Sequence, residues 1–128
     1  MQKGTLTILI ITIIVLGGLG FIINRQNSKP GELDGFAQCL KDKGAVFYGA
    51  FWCPHCQNQK KAFGRSAKLL PYVECSTPDG KGQLTTCTDK GVKSYPTWIF
   101  ADNTTLNGEV ELAILAEKTQ CELPVSTQ

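Results

Sequence analysis

Apolar and uncharged positions fill residues 5–23, "TLTILIITIIVLGGLGFII", without interruption, and no later stretch has that texture. A helix rises about 1.5 Å per residue, so this segment reaches about 28 Å, close to the hydrocarbon thickness of a bilayer. The pattern predicts a membrane-crossing helix. The competing reading is a cleaved signal peptide, whose apolar stretch usually runs about 7–15 residues and ends at a small-x-small site. This run is longer, and "FIINRQNS" offers no such site, so a retained signal-anchor is expected. Polar residues with Pro30 and Gly31 follow, which suits a tether over 24–33.

Beyond the tether the periodicity changes several times. In "DGFAQCLKDKG" (34–44), Phe36, Cys39 and Leu40 share one helical face, and Gly44 is placed to cap its end. "AVFYGAF" (45–51) is a continuous apolar run, the mark of a strand buried on both faces. A helix is expected from Pro54 to about Leu69, with Ala62 and Leu69 inward and Lys60, Lys61, Arg65 and Lys68 in water. "YVEC" (72–75) reads as a short strand, 76–82 as a loop, and "QLTTCTDKG" (83–91) as a short helix. "PTWIFA" (96–101) and "TTLNG" (104–108) read as strands joined at Asp102-Asn103. "EVELAILAEKTQC" (109–121) reads as an amphipathic helix with acidic residues in its first turn, favourable to the helix dipole. The order is one helix, then β-α-β-α-β-β-α. It predicts a small α/β layer fold over 34–121 with crossovers between parallel strands, a closing hairpin and a tail at 122–128.

Composition adds two constraints. Net charge is +2 with no basic run, so nothing favours a nucleic-acid partner. Six cysteines make a high, even count, which suits paired thiols in an oxidising compartment. Lys3 on one side of the apolar run and Arg25 and Lys29 on the other do not decide its orientation. Cysteine usage does, and it places residues 1–4 in the cytoplasm and the domain on the periplasmic or luminal side.

The chemistry concentrates in "FWCPHCQ" (51–57), where Cys53 and Cys56 enclose Pro54 and the single histidine, His55. The motif falls where the first buried strand ends and a helix begins. Cys53 is then the N-cap, Pro54 occupies N1 at no cost, and Cys56 lies at N3. Free amide groups and the positive end of the helix dipole favour a Cys53 thiolate, and a protonated His55 acts in the same sense. Cys53 is thus expected to be the exposed attacking sulfur, with Cys56 resolving the mixed disulfide. Structural zinc wants four ligands, yet there is no second C-x-x-C and no further histidine, so no metal is expected. An inert bridge over two residues gains little loop entropy, which leaves a redox couple. Downstream, "SYPTW" (94–98) puts Tyr95-Pro96 before a strand, where the X-Pro bond is a candidate for the cis form. Pro96 has no N–H, which leaves the Tyr95 backbone free to pair with a substrate strand.

With W-C-x-x-C at Trp52–Cys56 and Pro96-Thr97 in that order, the chain resembles thioredoxin-fold proteins. More narrowly it resembles the thioredoxin-like domain fused, in bacteria and plant plastids, to vitamin K epoxide reductase homologues. "YGAFWCPHCQ", "YVEC", "YPTW" and "GEVELAILAE" carry that likeness over residues 36–121. The resemblance implies Cys53 as nucleophile, Cys56 as resolving thiol, Pro96 as a cis-proline and Trp52, Tyr95 and Thr97 around the substrate. It also implies a membrane partner that passes electrons to a quinone. Here that partner is expected to be a separate chain, since these residues hold a single apolar segment and no four-helix reductase domain. Thioredoxins carry a buried acid six positions before the first motif cysteine, where this chain has Phe47, and its absence disfavours a general reductant. The Pro-His dipeptide resembles that of the periplasmic DsbA oxidases at this motif alone.

One further pair is then expected, and a second is left open. A Cys75–Cys87 bridge would close a loop of about a dozen residues, worth about 3 kcal/mol in the chain-entropy model, and the family likeness also implies it. It is either structural or an electron relay. Cys39 and Cys121 sit on helices that can pack together, either as a staple or as two small buried hydrophobes. The expected activity is a membrane-tethered thiol–disulfide oxidoreductase that needs no cofactor. It passes the Cys53–Cys56 disulfide to reduced substrate proteins and is reoxidised by the quinone-linked partner. A tethered reductant and a non-catalytic assembly module with structural disulfides are the alternatives.

Overall fold

The computed structural model describes residues 2–27 and 29–124, so the last part of the tail (125–128) lies outside the described residues. The chain divides into two units, residues 1–30 and 31–128. The first is helix α1 (Gln2–Asn27). Its Leu6–Ile23 window has a mean hydropathy of 2.8, and Leu6, Ile10, Ile13, Leu16 and Phe21 are all exposed along it. A helix apolar all round has no core-facing stripe, and it is long enough to span a bilayer.

The second unit is a mixed α/β domain. Helix α2 (Asp34–Asp42) leads into strand β1 (Val46–Gly49), helix α3 (Pro54–Ala62), a 3₁₀ helix (Gly64–Leu69) and strand β2 (Tyr72–Glu74). Helix α4 (Thr85–Thr88), strands β3 (Thr97–Ile99) and β4 (Thr105–Asn107) and helix α5 (Leu112–Thr119) complete it. The four strands form one sheet in the order β2-β1-β3-β4. Only β1 and β2 run parallel, joined by the α3 crossover. β3 is antiparallel to β1, pairing Phe47 with Trp98, and β4 closes the hairpin. The expected run of parallel strands is therefore half realised. The stretch between β2 and β3 holds only a four-residue helix and reverses the chain through Gly91 at φ 72°.

Phe47 and Tyr48 point to opposite faces of β1, as the strand period of two requires. Phe47 stacks on Trp98 at 4.9 Å, within a core that includes Phe36, Leu40, Phe63 and Leu115. Tyr48 joins Cys75, Cys87 and Val92 on the other side. Full burial of one such aromatic is worth about 1.5–3 kcal/mol, so β1 anchors both layers of the domain.

Two expected elements are corrected. The helix from Pro54 does not run on to Leu69: it stops at Ala62, and Gly64 takes φ 54° before the chain winds into the 3₁₀ turn. That turn rotates Ala62 into solvent and sends Phe63, Ser66 and Leu70 inward. Helix α5 begins at Leu112, so Glu109 and Glu111 precede its first turn. Glu109 is engaged elsewhere.

Candidate functional site

The two free thiols, Cys53 and Cys56, lie where β1 hands over to α3. Cys53 is the N-cap residue in extended conformation (φ −77°, ψ 118°), and Pro54 opens the helix. Its Sγ accepts a hydrogen bond from the Cys56 N–H at 3.3 Å, which uses one of the unpaired amides at the helix start. Both residues are buried, Cys53 at 4% and Cys56 at 0% exposure, so the exposed position expected for Cys53 is not what the fold gives, because the N-cap residue is covered with the helix start. Burial, and then the hydrogen bond with Cys53, push the Cys56 thiol up to about 12.

His55 stands on the outer side of the helix, and its Nδ1 lies 2.6 Å from Glu109 Oε1. The same carboxylate oxygen accepts from Asn58 Nδ2 at 3.1 Å. These contacts, His55 first, hold the Glu109 carboxyl below its ordinary range. Next to them, buried Gln59 donates to the Val110 carbonyl at 3.0 Å and accepts from the Val110 N–H at 2.7 Å. Residues 109 and 110 are thereby bolted to α3.

On the other flank, Phe51 and Trp52 are about half exposed. The indole N–H of Trp52 donates to Ser76 Oγ at 2.8 Å, and its ring meets Tyr95 edge-on at 6.0 Å. The peptide bond Tyr95-Pro96 is cis. Pro96 itself is fully buried, and its carbonyl accepts from the Gly108 N–H at 2.8 Å. Thr97 is also buried, with its hydroxyl 2.8 Å from both the Ser94 carbonyl and Asn107 Oδ1. That side chain works inside the β3–β4 hairpin. Trp52 and Tyr95 are the expected substrate-side residues that the fold does bring beside the cysteines.

The remaining four cysteines are bonded. Cys75–Cys87 joins the end of β2 to α4 (S–S 2.02 Å), and Cys39–Cys121 ties α2 to the residues after α5 (S–S 2.08 Å). Among the described residues no group of His, Cys, Asp or Glu has the spacing of a metal site.

Three residues of the site escaped the sequence reading. Gly49 makes the room for the inner thiol: a Cβ there would lie 2.9 Å from both Cys56 Sγ and Tyr72 Cε2. Glu74 accepts from the N–H groups of Phe51 (3.2 Å) and Ser76 (2.8 Å) and from the Tyr72 hydroxyl (2.7 Å). Gln59 carries the pair of bonds to Val110 described above. A glycine inside an apolar strand is the one available signal, since it marks close approach of a neighbour.

No protein-family model matches the chain. It is 53% identical over 88 residues to thiol-disulfide oxidoreductase LTO1 of Arabidopsis thaliana, an alignment covering 65% of this chain and 23% of that relative. The chain thus spans less than a quarter of the relative's length. With one cysteine pair free at a helix start and two pairs closed as disulfides, the chain is a homologue of one segment of a thiol–disulfide oxidoreductase.

Proposed function

We propose that this chain is a membrane-anchored thiol–disulfide oxidoreductase whose active pair is Cys53–Cys56. The observation that carries this reading is the Cys53 sulfur at the N-cap, taking the Cys56 N–H while Cys56 stays buried behind it. One sulfur is set to be attacked and the other to resolve. The name of the relative and the two further disulfides support the same chemistry.

The favoured direction is oxidative. A substrate thiolate attacks Cys53 Sγ, the Cys53–Cys56 bond breaks and Cys56 leaves. The substrate's second thiol then displaces Cys53, so the substrate is oxidised and the pair reduced. A donor aimed at Cys53 Sγ stabilises the reduced form, which makes the disulfide a stronger oxidant. Phe47, where thioredoxins keep an acid, argues in the same sense.

The apolar helix Leu6–Ile23 supports membrane anchoring, and the two structural disulfides support a domain on the extracytoplasmic side. A quinone-reducing membrane partner, similar to vitamin K epoxide reductase homologues, is the proposed source of oxidising equivalents.

The test is oxidative folding of a reduced protein by the full chain, wild type against Cys53→Ser. Loss of activity is expected, and undiminished activity in the variant would sink the enzyme reading. Equilibration of the pair with glutathione fixes the direction. A potential near about −120 to −180 mV supports an oxidant, and one near about −270 mV makes the chain a reductant.

A further inference from the structure

Disulfide exchange moves a proton at Cys56 in either direction, yet that sulfur is fully buried and its thiol is pushed up to about 12. Solvent cannot serve it readily, and strand β1 offers no carboxylate, since Phe47 and Gly49 occupy its relevant positions. What lies beside the sulfur is the Tyr72 ring. A Cβ on Gly49 would be 2.9 Å from both Cys56 Sγ and Tyr72 Cε2, so the sulfur and the ring edge both close on the space the bare glycine leaves. The Tyr72 hydroxyl donates to Glu74 Oε2 at 2.7 Å. The register pairs Gly49 with Glu74 itself. Lys60 Nζ covers the same ring at 3.5 Å from its centroid.

The ionisable groups around Cys56 can be taken element by element. Helix α3 presents Cys53 and Lys60, strand β2 presents Tyr72 and Glu74, and the segment before β3 presents Tyr95. Lys60 lies over the Tyr72 ring as a cation and is no proton acceptor. Both tyrosine hydroxyls are pushed up, chiefly by burial, and stay protonated. Glu74 is the acceptor of the set, and Tyr72 is the group that joins it to the sulfur's side of the strand.

We infer that Glu74, acting through the Tyr72 hydroxyl, exchanges the proton of the Cys56 sulfur during thiol–disulfide exchange. The inference rests on Cys53–Cys56 being the active pair. In the resolving step, Cys56 Sγ forms a bond to Cys53 Sγ while the bond from Cys53 to the partner sulfur breaks, and the partner leaves as thiolate. The Cys56 proton passes to the Tyr72 oxygen as the hydroxyl's own proton passes to Glu74. In the oxidative direction Cys56 is the leaving group, and the same two transfers run backwards. Electrons stay on sulfur throughout, and no further reactant is required.

Glu74→Gln tests this cleanly. The amide can still accept from Phe51 and Ser76 while losing the basic carboxylate. The full chain in detergent, reduced at Cys53–Cys56, is mixed with an excess of an aromatic disulfide whose thiolate product absorbs visible light. Attack by Cys53 releases the first equivalent, and resolution by Cys56 releases the second. Glu74→Gln is expected to slow the second phase at least about tenfold near neutral pH, at the low end of general-base contributions, and to leave the first phase unchanged. Its deficit should shrink steadily as pH rises and hydroxide replaces the lost base. Tyr72→Phe, which keeps the ring against Gly49 and Lys60, should show the same second-phase defect, and the double variant should be no slower than either, as for residues acting as one unit. An unchanged second phase in both variants would overturn the inference. So would equal slowing of both phases at every pH, the mark of a structural role. Failure of the wild type to release a second equivalent would instead remove the proposed function.

Discussion

Glu109 Oε1 lies 2.6 Å from Nδ1 of His55 and couples the lead-in to the last helix with the dipeptide between the motif cysteines. Three residues before Leu112, Glu109 sits ahead of α5, where the dipole of that helix has little hold on it. It serves α3 instead, because Gln59 fixes Val110 alongside and leaves the carboxylate facing His55 and Asn58.

A pH dependence follows from that contact. The folded Glu109 carboxyl is held below its ordinary value of 4.5, so the unfolded chain takes up its proton first as pH falls. The pair therefore adds stability above about pH 4.5, and that contribution fades as pH drops through the folded pKa. Glu109→Gln has nothing to lose there. Its melting temperature should fall less than that of wild type between about pH 6 and pH 3, by a small margin because the carboxylate is solvent-screened. Parallel thermal melts check this, and a wild-type curve no steeper than the variant's would refute it.

Gly49→Ala should damage the domain and its chemistry together. The added methyl would sit 2.9 Å from Cys56 Sγ and from the Tyr72 ring, and the strand backbone is pinned on both sides by β2 and β3. Overpacking of this kind costs about 1–3 kcal/mol. Urea unfolding measures it, and a value within about 0.5 kcal/mol of wild type would mean the pocket is looser than its distances say.

How far the sequence foretold these parts depends on the range over which each is determined. Cys53 at the N-cap and Pro54 at N1 are settled within a few residues, so the strand-to-helix junction was legible from the motif alone. The two-faced burial of β1 was legible from its unbroken apolar run. The end of α3 was not. Gly64 reads as one tolerable helical glycine until Phe63 is seen to need the core, and the strong basic pattern around it hid the break. The direction of β3 was also hidden, because strand order and sense depend on a return path that a four-residue helix cannot announce. Gln59 and Glu109 are polar residues whose partners lie 51 to 54 positions away, and no local pattern marks such pairs. Glu74 looked like the polar step in a short strand, although three separate donors converge on it.

Gln59→Leu isolates one of those distant pairs. Leucine fills most of the same space but leaves the Val110 N–H and carbonyl, both tied to Gln59 in a buried setting, without partners. Each such group costs about 1–3 kcal/mol, so a loss of at least about 2 kcal/mol is expected. Denaturant midpoints at constant slope give the value. A neutral result would show that water replaces the amide.

The two closed disulfides should differ in what their removal costs. Cys39–Cys121 spans 82 residues and Cys75–Cys87 spans 12, so the chain-entropy model assigns about 4.5 kcal/mol to the first and about 3 kcal/mol to the second. The long bridge also fastens α2 to the segment following α5, at opposite ends of the domain's sequence. The short one closes a loop already held by the Leu84 N–H to the Cys75 carbonyl and by the Ser76–Gln83 bridge. Replacing both cysteines of each pair by alanine should therefore lower the melting temperature more for Cys39 and Cys121. The Cys75 and Cys87 change has its own signature, because the loop that follows Cys75 supplies the Ser76 hydroxyl to Trp52. Trp52 fluorescence should shift in that variant and stay constant in the other. A larger thermal loss from the short bridge would mean that packing of the two fully buried sulfurs, and not loop closure, dominates their stabilisation.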